Sequence, residues 1–204
     1  MLLGRITVNG PNGLTLGGDP AAMAIAEPFM REVLPGEVVI ADNIRGAQWT
    51  KLLINQVNAL PAITGLSVQQ TIAHPDLRGV IARAMVETVA VGDAAGARWG
   101  TIGSVDAEAV ARVRAGGPLA ASDLALALSA GMGEVPNPAS MLQSIRRGRT
   151  TEVDAINGAV VDFGTSLGVS TPVNAALVGL VRKAQAGARP LTDAEALARI
   201  PAPS

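Results

Sequence analysis

The sequence contains no cysteine and one histidine, His74. Without cysteine there is no disulfide scaffold and no Cys-ligated zinc or iron–sulfur site, and one imidazole is too few for a His-based metal centre. Tyrosine is also missing, and aromatic residues are only 2% of the 204. That excludes the aromatic platforms on which single-stranded nucleic acids stack. Net charge is -1, so no basic excess is available for a phosphate backbone. Lysine is scarce as well. Of 16 basic residues only Lys51 and Lys183 are lysines. No apolar run approaches the roughly 18 to 20 residues of a membrane span. The opening Met1-Leu2-Leu3-Gly4-Arg5 lacks the basic region and apolar stretch of a signal peptide. These absences predict a cytoplasmic protein with neither nucleic-acid nor membrane partner and no metal.

What is abundant is small and apolar. Hydrophobic residues reach 49% and charged residues 16%, a composition that fills a core and excludes intrinsic disorder. Residues 2–8 (LLGRITV) and 14–16 (LTL) flank Asn9-Gly10-Pro11-Asn12-Gly13 and predict a hairpin. Asp19-Pro20 starts a helix, Pro28 predicts a kink or break in it, and Pro35-Gly36 ends it. Residues 37–41 (EVVIA) form a short strand. From Ile44 onward the periodicity is helical: 44–60, 75–96, 106–114, 122–130, 138–147, 151–168, 171–187, and a last helix opened by a Thr192/Glu195 capping box. A second box, Thr151 with Asp154, opens the helix at 151. The expected fold is mainly α: an all-α domain over 44–204, preceded by a small α/β segment over 1–43. That segment resembles the end of a larger sheet domain, because a hairpin, one helix and one strand make a poor core alone.

Two constellations can carry chemistry. In residues 49–60 (WTKLLINQVNAL), Lys51, Asn55 and Asn58 fall at i, i+4 and i+7. At about 100° per residue they lie within roughly 60° of one another on one helix face. A stripe of one ammonium and two carboxamides on an otherwise apolar helix serves either as a solvent face or as the wall of a polar pocket. In residues 139–158, Arg146, Arg147 and Arg149 stand beside a glycine and a helix start, with Glu152 in the first turn. A first-turn acid also simply complements the helix dipole. Asn157, five residues on, falls off that face. His74 before Pro75 reads as a helix cap or surface residue, and Trp49 and Trp99 read as packing residues. No G-x-G-x-x-G, P-loop, G-x-S-x-G or H-E-x-x-H occurs.

Residues 49–65 (WTKLLINQVNALPAITG) resemble the signature that opens the C-terminal domain of ketopantoate reductases (2-dehydropantoate 2-reductases). Residues 140–174 (SMLQSIRRGRTTEVDAINGAVVDFGTSLGVSTPVN) resemble that family's second signature. The resemblance implies a Rossmann domain that binds NADPH, joined to an all-α domain like that of 6-phosphogluconate dehydrogenase, with the site between them. Residues 1–43 then match the end of a truncated Rossmann domain. The implied reaction is reduction of 2-dehydropantoate to (R)-pantoate, towards pantothenate and coenzyme A. Lys51 matches the catalytic lysine that hydrogen-bonds the ketone oxygen and protonates the alkoxide. Asn55, Asn58 and Ser140 match substrate-binding residues. Glu152 matches the catalytic acid near the substrate hydroxyl and the nicotinamide, and so also touches cofactor. Ser144 stands where the family commonly has Asp. Three readings stay open: the substrate and catalytic half of such a reductase, a helical homodimerisation or binding module derived from it, and a reductase for a different 2-oxo acid.

Overall fold

The computed structural model describes residues 13–34 and 36–202. Two short strands, β1 (Leu14–Leu16) and β2 (Val38–Ile40), pair in parallel, with Leu14 opposite Val38 and Leu16 opposite Ile40. Parallel strands need a crossover connection, and α1 (Pro20–Val33) supplies it. Residues 2–8, the other arm of the expected hairpin, lie outside the described residues; among the described ones β1 pairs with β2. Asp19 caps α1 by accepting from the amides of Ala21 and Ala22 at 3.0 and 3.1 Å. The helix continues through Pro28, and its last turn closes from Leu34 N–H to the Met30 carbonyl at 3.0 Å. Pro28 therefore costs one rung of the ladder and does not end the helix.

The remaining elements are helical. They are α2 (Ile44–Ile54), a 3₁₀ turn (Asn55–Asn58), α3 (Ala59–Thr64), α4 (Val68–Ala73), α5 (Pro75–Ala94), α6 (Ala107–Ala130), α7 (Ala139–Arg146), a π turn (Asp154–Gly158), α8 (Ala159–Leu167), α9 (Pro172–Gln185) and α10 (Asp193–Leu197). The mainly-α expectation holds. α5 is the spine. Leu77, Val80, Ile81, Ala84, Met85 and Val89 are buried along it, and α2, α4, α6, α8 and α9 all pack on it. A helix with this much buried surface belongs at the centre of a core. All six residues of α3 are buried too.

Local signals explain most boundaries. His74 caps α5, accepting from the Leu77 amide at 3.5 Å, and its other ring nitrogen lies 3.1 Å from Asp193. The cap reading of His74 is thus correct. Gly117, with φ 58°, breaks the helical path inside α6, between the two helices expected over 106–114 and 122–130. Reciprocal Ser67/Gln70 and Thr192/Glu195 capping boxes open α4 and α10. The Thr151/Asp154 box does not form. Thr151 Oγ1 takes the Val153 amide at 3.4 Å, Asp154 pairs instead with Arg182 at 2.8 Å, and the chain enters a π turn.

Gly46 fixes how α2 meets the 98–100 loop. A Cβ there would sit 1.9 Å from the Arg98 carbonyl oxygen. Asn43 caps α2 at the Gly46 amide and donates to that same Arg98 oxygen at 2.6 Å. Thr50 Oγ1 donates to the Gly100 oxygen at 2.7 Å. The two tryptophans pack as expected: Trp49 meets Trp99 edge-on at 6.1 Å and Phe163 at 5.5 Å.

Candidate functional site

Lys51 lies in the last turn of α2, exposed to solvent, with no carboxylate within 4.0 Å among the described residues. Asn55 and Asn58 follow, yet not on a continuous α-helix as the periodicity suggested. Residues 55–58 tighten into a 3₁₀ turn. Pro61 supplies a reason: it has no N–H to give the Val57 carbonyl, so the α ladder is interrupted one turn ahead of it. In a 3₁₀ turn residues i and i+3 eclipse, which keeps the two asparagines on one side. Gln56 and Val57 between them are fully buried, and Asn55 and Asn58 are half-buried. The turn is thus anchored in the core through its middle while its ends present two carboxamides.

Ser140 is delivered by a different route. The 133–137 loop is stapled to α4 by Gln69, whose side chain donates to the carbonyls of Gly133 and Val135 at 3.2 and 2.9 Å and accepts from the Asn137 amide at 2.9 Å. Asn137 then accepts from the Ala139 amide at 2.9 Å. Ala139 is held at φ 59° and is buried. This left-handed region is strained for a residue with a Cβ. Strain and staple together set the chain direction immediately before Ser140.

Glu152 comes from the segment before the π turn. Its side chain accepts a short hydrogen bond from Ser140 Oγ. Asn58 Nδ2 in turn donates to that hydroxyl at 3.5 Å. A carboxamide, a hydroxyl and a carboxylate, distant in sequence, therefore form one row. Such a row offers a ligand both donors and an acceptor. Lys51 and Asn55 carry no side-chain hydrogen bond among the described residues. Among the described residues Arg146 hydrogen-bonds only to the Gly65 carbonyl, at 3.4 Å, and none of Arg146, Arg147 and Arg149 forms a hydrogen bond or ion pair with Glu152. The arginine part of the second constellation thus stays outside the row.

Beside α2, on the flank next to Lys51, a cavity of about 490 Å³ is lined by Arg45, Gln48, Trp49, Leu52, Ala155 and Phe163, among others. Behind the row runs a buried polar chain that the sequence reading did not recover. It consists of Gln56, Asn157 and Asn174, each fully buried. The available signal was polar residues within apolar stretches, but helical phase alone did not bring them together.

Residues 43–185 match the family model described as "Ketopantoate reductase PanE/ApbA C terminal". The chain belongs to this family. It is 32% identical over 160 residues to a 2-dehydropantoate 2-reductase of Mesorhizobium japonicum, covering 78% of this chain and 42% of that protein. A 2-dehydropantoate 2-reductase of Caulobacter vibrioides is 30% identical over 166 residues, 81% of this chain and 49% of the relative. The chain thus spans about half the length of the curated relatives it matches. A solved PanE/ApbA family ketopantoate reductase from Ralstonia eutropha superposes with a TM-score of 0.66 at 28% identity, covering 87% of this chain and 53% of that one. D-mandelate dehydrogenase in complex with NADH gives 0.69 at 21% identity, covering 88% and 56%, a likeness of fold alone.

Proposed function

We propose that this chain supplies the substrate-binding and catalytic groups for NADPH-dependent reduction of 2-dehydropantoate to (R)-pantoate. Residues 44–204 act as the substrate domain, and 1–43 belong to the nucleotide-binding side. The row Asn58–Ser140–Glu152, with Lys51 and Asn55 next to it on the same polypeptide stretch, carries this reading. A 2-oxo acid with a distal hydroxyl presents a carboxylate, a ketone and an alcohol. Asn55 and Asn58 donate to such oxygens; Ser140 does so by turning its one O–H from Glu152 to the ligand, which leaves Glu152 to accept from the alcohol. Reduction leaves negative charge on the ketone oxygen. The Lys51 ammonium stabilises that charge and delivers the proton to the oxygen. Membership of a family whose curated members are named 2-dehydropantoate 2-reductases supports the substrate.

NADPH would supply the hydride, and Glu152 would stand at the nicotinamide side. The described β1–α1–β2 unit does not fit the dinucleotide's phosphates. Pro20 has no N–H to offer, and the Asp19 carboxylate already occupies the amides of Ala21 and Ala22. A helix N-terminus filled by a carboxylate repels a second anion. The N-terminus of α1 is therefore assigned no phosphate of the dinucleotide, and the roles proposed for Lys51, Asn55, Asn58 and Ser140 concern the acid substrate and the proton.

A calorimetric titration of the chain with 2-dehydropantoate tests the proposal. Saturable one-to-one binding is expected, weakened at least about tenfold by Lys51→Ala and by Asn58→Ala, since each removes a hydrogen bond to a charged or polar ligand group. Unchanged affinity in both variants would contradict the assignment. A second reading, a larger aromatic 2-oxo acid, is favoured by the cavity at Trp49 and Phe163 with Arg45 on its lining. The same titration with phenylglyoxylate separates the two: tighter binding than 2-dehydropantoate selects the aromatic acid.

A further inference from the structure

Asn58 sits in the 3₁₀ turn and Glu152 just ahead of the π turn, and one buried carboxamide joins these two irregular turns. Asn157 lies in the π turn that follows Glu152. Its Nδ2 donates to Gln56 Oε1 at 2.7 Å and to Asn174 Oδ1 at 2.9 Å. Gln56 occupies the 3₁₀ turn between Asn55 and Asn58 and donates back to the Leu52 carbonyl at 3.2 Å. Asn174, in the first turn of α9, donates to Glu87 Oε2 at 2.7 Å. Glu87, on α5, also accepts the amides of Val173 and Asn174 at 2.8 and 2.9 Å. The chain of contacts therefore runs from the α5 spine to the end of α2 through the middle of both irregular turns. The π turn itself is closed by Gly158 N–H to the Val153 carbonyl, five residues back, at 2.9 Å. π turns concentrate at functional sites because the inserted residue re-aims its neighbours.

We propose that Asn157 is the positioning residue of this site. It clamps the 3₁₀ turn that carries Asn55 and Asn58 to the π turn behind Glu152, and so holds the two halves of the row in register. Geometry and burial argue for this together. Gln56, Asn157 and Asn174 have no exposed surface, so each of their bonds is formed without competition from water. One Asn157 –NH₂ group meets two oxygens from two other elements, and no apolar side chain of similar size reproduces that. Asn157 Oδ1 has no partner among the described residues, so the residue is held wholly through its donor group. A carboxamide that only filled space would give the two turns no common fastening. Among the described residues the Asn157 side chain makes no hydrogen bond to Lys51, Asn58, Ser140 or Glu152, and it acts on the site through the backbone that carries them.

Amide hydrogen exchange on the full chain tests the clamp without any ligand. Gln56→Met removes the acceptor on one side of the clamp. If the clamp operates, exchange rises by about tenfold or more on the other side, at the Ala155, Ile156 and Gly158 amides. The reference is Val110→Ala, a buried position on α6 that shares no bond with the network. Asn157→Ser makes the reciprocal measurement at 55–58, and serves as well if Gln56→Met fails to fold. Exchange that rises no more across the clamp than in Val110→Ala would overturn the proposal. The ligand arm rests on the proposed function and is read separately. Affinity for 2-dehydropantoate should fall in Gln56→Met and stay near wild type in Val110→Ala. Exchange decides the clamp, whereas a wild-type chain that binds no 2-dehydropantoate counts against the substrate reading alone.

Discussion

The β1–α1–β2 unit and the helical region from Ile44 onward solve the problem of apolar surface in opposite ways. α1 contributes no buried residue, and Ile25, Phe29 and Val33, at i, i+4 and i+8, are 78%, 58% and 52% exposed. β2 adds Val39 and Ile40, also exposed. In the helical region α3 and the inner face of α5 are shut off from water. Burying a large apolar side chain contributes about 1.5–3 kcal/mol. The helical region collects that contribution many times over, while the three exposed residues of α1 collect little of it. Stability therefore resides in the helical region. The candidate site lies there too, on turns fastened to a well-packed core.

The largest break of this contrast is expected from Leu60→Ala. Leu60 has no exposed surface, and truncating it should cost about 2–5 kcal/mol in urea unfolding. Gly46→Ala comes next, at about 1–3 kcal/mol, because its new methyl must displace the backbone of the 98–100 loop. Phe29→Ser on α1 should leave the unfolding midpoint of the helical region nearly unchanged. A loss comparable to that of Leu60→Ala would show that α1 belongs to the core and would erase the contrast.

The smallest effect concerns the far end of the chain. The Arg189 guanidinium, with help from the Thr192 amide, pushes the Glu195 carboxyl down to about 2. A carboxyl whose folded value lies below its unfolded value of about 4.3 contributes stability above that value and loses it as pH falls towards 2. Protection of the α10 amides should therefore decline across that acid window. Glu195→Gln should flatten the decline. Since Arg189 is exposed and Glu195 half-buried at the surface, solvent screens the pair and the change will be local.

Much of this was legible in the sequence, and where it was not the reasons are physical. Caps were readable because their residues are local: Asp19, His74 and the Thr192/Glu195 box all act within three residues. The pairing of β1 with β2 was not, because the two strands find each other across a helix. The Thr151/Asp154 box failed because a distant partner, Arg182, took the carboxylate. Spacing set Lys51, Asn55 and Asn58 on one face, equally a solvent face or a pocket wall, and the turn that aligns the asparagines is 3₁₀, a consequence of Pro61. The contacts of Ser140 with Asn58 and Glu152 span 82 and 12 residues, and helical phase carries no information at such separations. Only the family signatures had pointed to Ser140. The Gln56–Asn157–Asn174 network was hidden for the same reason. Each of those residues looks locally like an ordinary polar interruption, and its meaning lies in the other two.

The most direct test of the central account is a nuclear magnetic resonance titration of the isotope-labelled chain with 2-dehydropantoate, following side-chain amide signals. The account predicts that the Asn55 and Asn58 carboxamides shift together and saturably, while that of Gln185, on α9 and bonded to the Thr151 amide, stays in place. Saturable shifts confined to residues around Trp49 and Phe163, with Asn55 and Asn58 silent, would contradict it.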